Sequence, residues 1–206
     1  MRPSMNTRSN SHSVSASAIA LACLLVFFSA CTRQSAPDVS ELTAELSAEG
    51  SDDRYSAVKD IDDRAETMTD SEAVLAVPHL QEALRDTDAR IRYRAAKALS
   101  KLESAAAPAV PELANTLQDE DPKTRYYAAK ALYKIGRPAR PAQDALQRAL
   151  GDENPDVQYY SAKALGAIGE EAKSSIGALN ALAQRTTEVK IQEAASEAVK
   201  NIQGVE

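Results

Sequence analysis

Three segments of this 206-residue chain repeat one another at a fixed distance. Tyr93-Arg-Ala-Ala-Lys-Ala-Leu99, Tyr126-Tyr-Ala-Ala-Lys-Ala-Leu132 and Tyr159-Tyr-Ser-Ala-Lys-Ala-Leu165 follow one another at intervals of 33 residues. A fourth copy keeps the register through Ala194 and Ala195. A fifth, Arg54 to Ile61, lies upstream after an offset of five residues. A period of this length confines the fold to like units stacked along an axis, each burying its apolar side against the next.

Within each unit the apolar spacing is helical twice. Leu80 with Leu84, Leu113 with Leu117 and Leu146 with Leu150 are i,i+4 pairs on a short first helix. Ile91, Ala95, Ala98, Leu99 and Leu102 mark one face of a longer second helix, and Val157, Ser161, Ala164, Leu165 and Ile168 mark it again. Asp88, Asp121, Asn154 and Thr187 stand in register between the two helices, and all are N-cap residue types. Pro122 and Pro155 follow at the first helical position, and Gly136 and Gly169 close the second helices where a left-handed residue is expected. The Ala columns allow the second helices to approach closely. Aromatics make up 4% of the chain and Trp is absent, which speaks against a large sheet with aromatic layers.

The run from Pro111 to Gly136 reads Pro-x-Leu-x-x-x-Leu-x-Asp-x-Asp-Pro, then Ala-Ala-Lys-Ala-Leu and Ile-Gly. It resembles HEAT repeats, in particular the short bacterial kind called PBS-lyase HEAT-like. The resemblance covers about residues 41–206 and implies an all-α fold, a right-handed α-α superhelix of about five helical hairpins. The expected units are 41–72, 73–105, 106–138, 139–171 and 172–206. The resemblance also implies that the second helices line the concave surface.

The N-terminus carries a different signal. Arg2 and Arg8 precede an apolar run from Ala18 to Ala30. Thirteen helical residues rise only about 20 Å, short of the roughly 30 Å hydrocarbon core, so residues 1–30 read as a secretory signal peptide. Phe28-Ser29-Ala30-Cys31 resembles a bacterial lipobox, although Phe28 stands where an aliphatic residue is usual. The resemblance implies lipidation of Cys31, a tether over 31–40, and a cell-envelope location. With Thr32 after the Cys, it implies an outer membrane facing the periplasm where the host has two membranes. An ordinary cleaved signal or an uncleaved anchor would use the same residues.

Removing residues 1–30 takes away both Phe residues, His12 and Cys23, leaving His79 as the one histidine and seven Tyr as the aromatics. That inventory holds no Ser/His/Asp set, no disulfide and no His-rich metal site, and the sequence has no phosphate-binding glycine loop. Deoxyhypusine hydroxylase and the phycobilin lyases, enzymes built on similar repeats, set the alternative of a lyase or an oxidoreductase. The His-Glu pairs of the former are missing here, and no lyase motif is evident. Asp52-Asp53 and Asp62-Asp63 lack EF-hand spacing and read as solvated acids. No catalytic residue, metal or cofactor is expected.

The outward columns of the second helices are not random. Tyr55, Tyr93, Tyr126 and Tyr159 form one line. Lys59, Lys97, Lys130 and Lys163, four residues further on, form another, and Tyr127, Tyr133 and Tyr160 widen the aromatic line. Tyr supplies contact area at modest rotamer cost and is enriched in interfaces. The expected role is a non-catalytic protein–protein interaction scaffold. Tyr55, Tyr93, Tyr126, Tyr127, Tyr159 and Tyr160 would contact a protein or peptide, while Lys97, Lys130 and Lys163 pair with its acidic side chains. Two other roles stay open for the tyrosines, packing between neighbouring helices, and for the whole chain, an envelope spacer. Arg54, Arg92 and Arg125 form a further column, replaced by Gln158, and are expected to pair with turn acids such as Asp119 or Asp121. Residues 41–72 hold 11 acids against Arg54, Lys59 and Arg64, a net charge of −8, while residues 73–206 balance. A nucleic-acid solenoid would need a net positive groove, so no nucleic-acid partner is expected.

Overall fold

The computed structural model describes residues 38–204. The expected signal peptide, Cys31 and residues 31–37 of the expected tether lie outside the described residues. Every regular element within them is helical. Five hairpins follow in order: α1 (Val39–Glu45) with α2 (Ser51–Arg64), α3 (Asp70–Ala83) with α4 (Ala89–Leu102), and α5 (Val110–Thr116) with α6 (Pro122–Ile135), then α7 (Gln143–Ala149) with α8 (Pro155–Ile168), and α9 (Ile176–Arg185) with α10 (Val189–Gln203). Single 3-10 segments at Ala65–Thr67, Glu103–Ala109, Arg137–Ala142 and Gly169–Ser175 join one hairpin to the next. The all-α solenoid implied by the period is the fold observed.

Burial follows the columns read from the sequence. Leu80, Leu113, Leu146 and Leu179 stand 33 apart on the first helices, and each is fully buried. Ala95, Ala128 and Ser161 on the second helices are equally closed to solvent, as are Leu99, Leu132 and Leu165. Small residues at these positions let α2, α4, α6, α8 and α10 pack directly, each against the next, as one continuous layer.

The predicted caps form in three hairpins. Asp88 Oδ1 accepts from the Arg90 N–H at 2.8 Å, Asp121 Oδ2 from Thr124 at 3.0 Å and Asn154 Oδ1 from Asp156 at 2.9 Å. Two residues earlier, Asp86, Asp119 and Asp152 each accept the N–H of the cap residue itself, at 2.8, 2.9 and 2.8 Å. The fourth expected cap does not form. Arg185 stands where that preceding Asp would be, α9 runs on to Arg185, and the N-cap position of α10 falls on Glu188, whose side chain accepts no capping bond, rather than on Thr187. The core positions at the two ends of α10 shift by one residue, to Ile191 and Ile202, while Ala194, Ala195 and Ala198 keep the register.

Two boundaries also differ from the sequence expectation. Asp38 caps α1, so the domain begins inside the span 31–40 expected as tether. Helix α3 starts at Asp70 rather than near 73, because Thr69 and Glu72 exchange bonds as a capping box: the Thr69 N–H donates to Glu72 Oε2 at 2.8 Å, and the Glu72 N–H donates to Thr69 Oγ1 at 3.3 Å. Gly136 and Gly169 end α6 and α8 with φ of 73° and 77°, but at ψ of −135° and −143° they lie beyond the left-handed helical region, in territory open almost only to glycine. In the same column Glu103 ends α4 at φ 50° and ψ −124°.

Candidate functional site

The second-helix layer is fastened by arginines. Arg54 Nε donates to Asp86 Oδ2 and its Nη2 to Asp86 Oδ1, at 2.7 and 3.1 Å. Arg92 repeats the fork on Asp119 at 2.7 and 3.1 Å, and Arg125 on Asp152 at 2.8 and 3.1 Å. Each Nη1 also donates to a carbonyl six residues back, that of Ala48, Asp86 or Asp119. The three arginines therefore pair with turn acids as expected, tying a second helix to the inter-helix turn of the following hairpin. Gln158 keeps only the carbonyl contact, to Asp152 at 2.6 Å. Opposite it Arg185 replaces the acid and donates to the Leu150 carbonyl.

The tyrosines form a connected chain of rings rather than separate posts. Tyr93 meets Tyr127 at 5.4 Å between centroids, Tyr127 meets Tyr126 at 4.7 Å, Tyr126 meets Tyr160 at 5.3 Å and Tyr160 meets Tyr159 at 5.1 Å, all edge to face. Tyr133 joins at Tyr160, tilted, at 6.0 Å. All six rings are half-buried. They pack between neighbouring helices α4, α6 and α8, and they also reach the surface of the layer. Tyr55 stands apart, covered by the guanidinium groups of Arg90 at 5.0 Å and Arg94 at 5.9 Å.

The lysine column divides. Lys130 Nζ lies 5.9, 5.7 and 6.0 Å from the ring centroids of Tyr126, Tyr127 and Tyr160. Lys163 Nζ lies 4.7 Å from Tyr133 and 5.6 Å from Tyr159. Neither has a carboxylate partner among the described residues. Lys59 bonds Asp63 at 2.8 Å. Lys97, expected to meet a partner's acid, is already engaged within the chain.

Its partner is Asp62, which the sequence reading left as a solvated acid and which is in fact fully buried. Arg94 Nη1 donates to Asp62 Oδ2 at 2.7 Å, Lys97 Nζ to the same oxygen at 3.0 Å, and Lys101 Nζ lies 2.9 Å from Oδ1. Burial alone would raise this carboxyl, but the bonds from Lys101, Arg94 and Lys97 outweigh it and hold the group below the ordinary carboxylate value. The signal was present in the sequence. Once the five-residue offset is applied, Asp62 falls in the column of Ser100, Tyr133 and Gly166, and Arg94 falls in the column of Tyr127 and Tyr160. The first interface thus uses ions where the next two use rings.

Burial, followed by the adjoining Tyr93 hydroxyl, pushes the Tyr127 hydroxyl up to about 12, and burial with Tyr126 raises Tyr160. On Lys163 burial acts downward, but the Tyr133 and Tyr159 hydroxyls more than offset it and the ammonium stays above the ordinary lysine value. All of these groups hold their neutral-pH charge states. The face offers aromatic contact and, over its rings, the ammonium groups of Lys130 and Lys163, which have no carboxylate partner among the described residues. His79 lies half-buried on α3 beside Pro78, on the first-helix side of the hairpin. Among the described residues no group of three His, Cys, Asp or Glu could hold a metal ion, and no helix is long and apolar enough to cross a membrane.

A family model described as HEAT repeats matches residues 78–151 and again 110–200. Among solved structures, a designed armadillo repeat protein in complex with a (KR)4 peptide is 18% identical over 80% of this chain and 81% of its own, with a TM-score of 0.69. Computationally designed armadillo repeat proteins for modular peptide recognition are 18% identical over 79% of this chain and 81% of theirs, at 0.67. The CpcE–CpcF complex of phycocyanin lyase from Nostoc sp. PCC7120 is 24% identical over 84% of this chain and 68% of that one, at 0.62. At these identities the likeness is one of fold. No curated protein matches the chain.

Proposed function

The chain belongs to the HEAT repeat family, and from that membership we propose that it is a membrane-anchored, non-catalytic scaffold that holds a protein or peptide on the concave face of its second helices. The observation that carries this reading is the half-buried chain of rings from Tyr93 to Tyr159, topped by Lys130 and Lys163, neither of which is ion-paired among the described residues. Buried structural tyrosines would be closed over, whereas these leave area for a partner in the manner of interface hot spots. The designed armadillo repeat proteins of similar fold, one of them bound to a peptide, support a peptide as the kind of partner. In this reading residues 1–30 are removed, Cys31 carries the lipid, and the domain is held at the cell envelope, at an outer membrane facing the periplasm where two membranes exist. Acyl chains contribute about 0.8 kcal/mol per buried methylene, enough for stable attachment when more than one is present.

Replacing Tyr126, Tyr127 and Tyr159 together by Ala is expected to abolish capture of the native partner from solubilised membranes while far-ultraviolet circular dichroism keeps its helical amplitude. Capture at the wild-type level overturns the binding role, and lost helicity assigns the rings to packing. For the anchor, a cell labelled with a radioactive fatty acid is expected to incorporate label into the protein, and Cys31→Ser to lose both label and membrane attachment.

A further inference from the structure

Resting on that reading, we infer that the ligand of the tyrosine face is an acidic peptide in extended conformation, with carboxylates three residues apart that meet Lys130 and Lys163. Arg90, Arg94, Lys97, Lys101, Lys134 and Lys190 on the second helices all pair with acids of the chain itself. Lys130 and Lys163, on adjacent second helices in one column, do not; Lys123 and Lys200 have no ion pair among the described residues either, but they are exposed and neither ammonium lies over a tyrosine ring. The ammonium groups of Lys130 and Lys163 themselves lie over tyrosine rings, at an apolar surface where water screens them less than at an open site. A carboxylate arriving there gains charge pairing without displacing an internal acid.

Spacing selects the backbone. Packed helices lie about 8–10 Å apart, and a polyproline II segment rises about 3.1 Å per residue, or roughly 9 Å per triplet. One acid in every three residues therefore keeps step with one lysine per hairpin, whereas one in every two does not. The residues between the acids have a place too. Where Tyr133 stands in α6, its column in α8 holds Gly166, where a Cβ would lie only 2.9 Å from Ala198 Cα, so α10 closes directly on α8; beside this contact lies a hollow of about 110 Å³. Ala194 and Ala198 line it together with the Tyr133 ring; Lys163 and Glu197 also border it. That size suits a Pro or Ala side chain.

The same lysines and rings would suit single-stranded nucleic acid only if ring faces were free for bases to stack. Here the faces are covered by neighbouring ring edges at interplanar angles of 75–87° and by lysine ammonium groups, and the domain has no positive excess to attract phosphates. The chemistry is also opposite in sign to that of the (KR)4 peptide in the similar designed protein.

Fluorescence anisotropy on the full chain tests the inference with two labelled peptides carrying the same number of glutamates, one built of Glu-Pro-Ala triplets and the other of Glu-Pro doublets. The triplet peptide is expected to bind more tightly and to weaken as salt is raised. It is expected to lose about tenfold or more in affinity in the double variant Lys130→Met, Lys163→Met, which removes the charges while keeping side chains of similar length; circular dichroism of that variant checks that it is folded. No binding of either peptide, equal binding of both, stronger binding of a Lys-Arg peptide or of oligo-deoxythymidine, or affinity unchanged in the folded double variant each overturns it. Concentration-dependent self-association abolished by the same substitutions would instead place the acidic first hairpin of a second copy on the face, and would also overturn it. If Tyr126, Tyr127 and Tyr159 prove necessary for capture of the native partner while the lysine variant captures it normally, the scaffold reading stands and the acidic ligand falls.

Discussion

Single positions in the columns depart from their neighbours at identifiable cost. Glu103 occupies a backbone conformation that Gly136 and Gly169 adopt freely. Strain of this kind costs about 1–3 kcal/mol, more than the extra chain entropy of a glycine, and the Glu103–Lys134 pair it would sacrifice is solvent-exposed and worth little. Glu103→Gly is therefore expected to raise stability by about 1 kcal/mol, read as a higher urea midpoint at unchanged slope. Ser161 Oγ is buried without a hydrogen-bond partner where Ala95 and Ala128 place a methyl. Ser161→Ala is expected to add about 1 kcal/mol by removing that unmet donor. At alkaline pH the sign follows from Tyr127. Its proton is held to about 12 in the folded chain, so its contribution is complete below the ordinary value near 10 and is lost as pH climbs from there towards 12. Tyrosinate absorbance should accordingly show a late-titrating fraction that merges with the rest once the protein is unfolded in urea; a single titration near the ordinary value would contradict the packed rings.

Between hairpins the decisive part is the forked arginine. The Arg92 and Arg125 pairs are bidentate and nearly closed to solvent, with side-chain exposures of 12% and 10%. Leaving the partner acid alone at such a site costs several times what an exposed pair is worth. Arg125→Ala should lose about 2–4 kcal/mol and Arg90→Ala, whose side chain is 56% exposed, far less, as measured by thermal unfolding. The last interface offers the reverse test. Gln158→Arg combined with Arg185→Asp should recreate the fork and raise the melting temperature, while either change alone lowers it. The helices, caps and arginine pairs were legible because they recur: Asp88, Asp121 and Asn154 announce themselves by register. What was not legible sits where the register changes. The Thr187 cap fails because the acid two residues before it has become Arg185. Asp62 looked solvated because its three cations lie in the following hairpin, and the five-residue offset hides the column it shares with Ser100, Tyr133 and Gly166. Lys97 shares its column with Lys130 and Lys163, and nothing local to it tells that its charge is already met.

Across the molecule the interfaces differ in kind. Asp62 with Arg94, Lys97 and Lys101, together with the Arg54–Asp86 fork, joins the first hairpin to the second, whereas rings join the Arg92 and Arg125 forks in linking the second, third and fourth. Burial works to raise Asp62 and Asp86, yet the bonds from their cations hold both below the ordinary 3.8. Their contribution is thus complete above that value and disappears as pH falls beneath it. On acidification the first hairpin is expected to lose amide protection before the tyrosine-linked units, followed by hydrogen exchange at successively lower pH; simultaneous loss would contradict the ionic junction. Asp62→Asn, which leaves three cations crowded without their counter-charge, should loosen the same hairpin at neutral pH. The two inner arginine forks, from Arg92 to Asp119 and from Arg125 to Asp152, span the same 27 residues. A block running from one fork to the next carries plug and socket of matching shape at its two ends. Splicing in a second copy of residues 122–154 would then lengthen the rod by one notch, about 10 Å of added reach, without any new junction having to be invented.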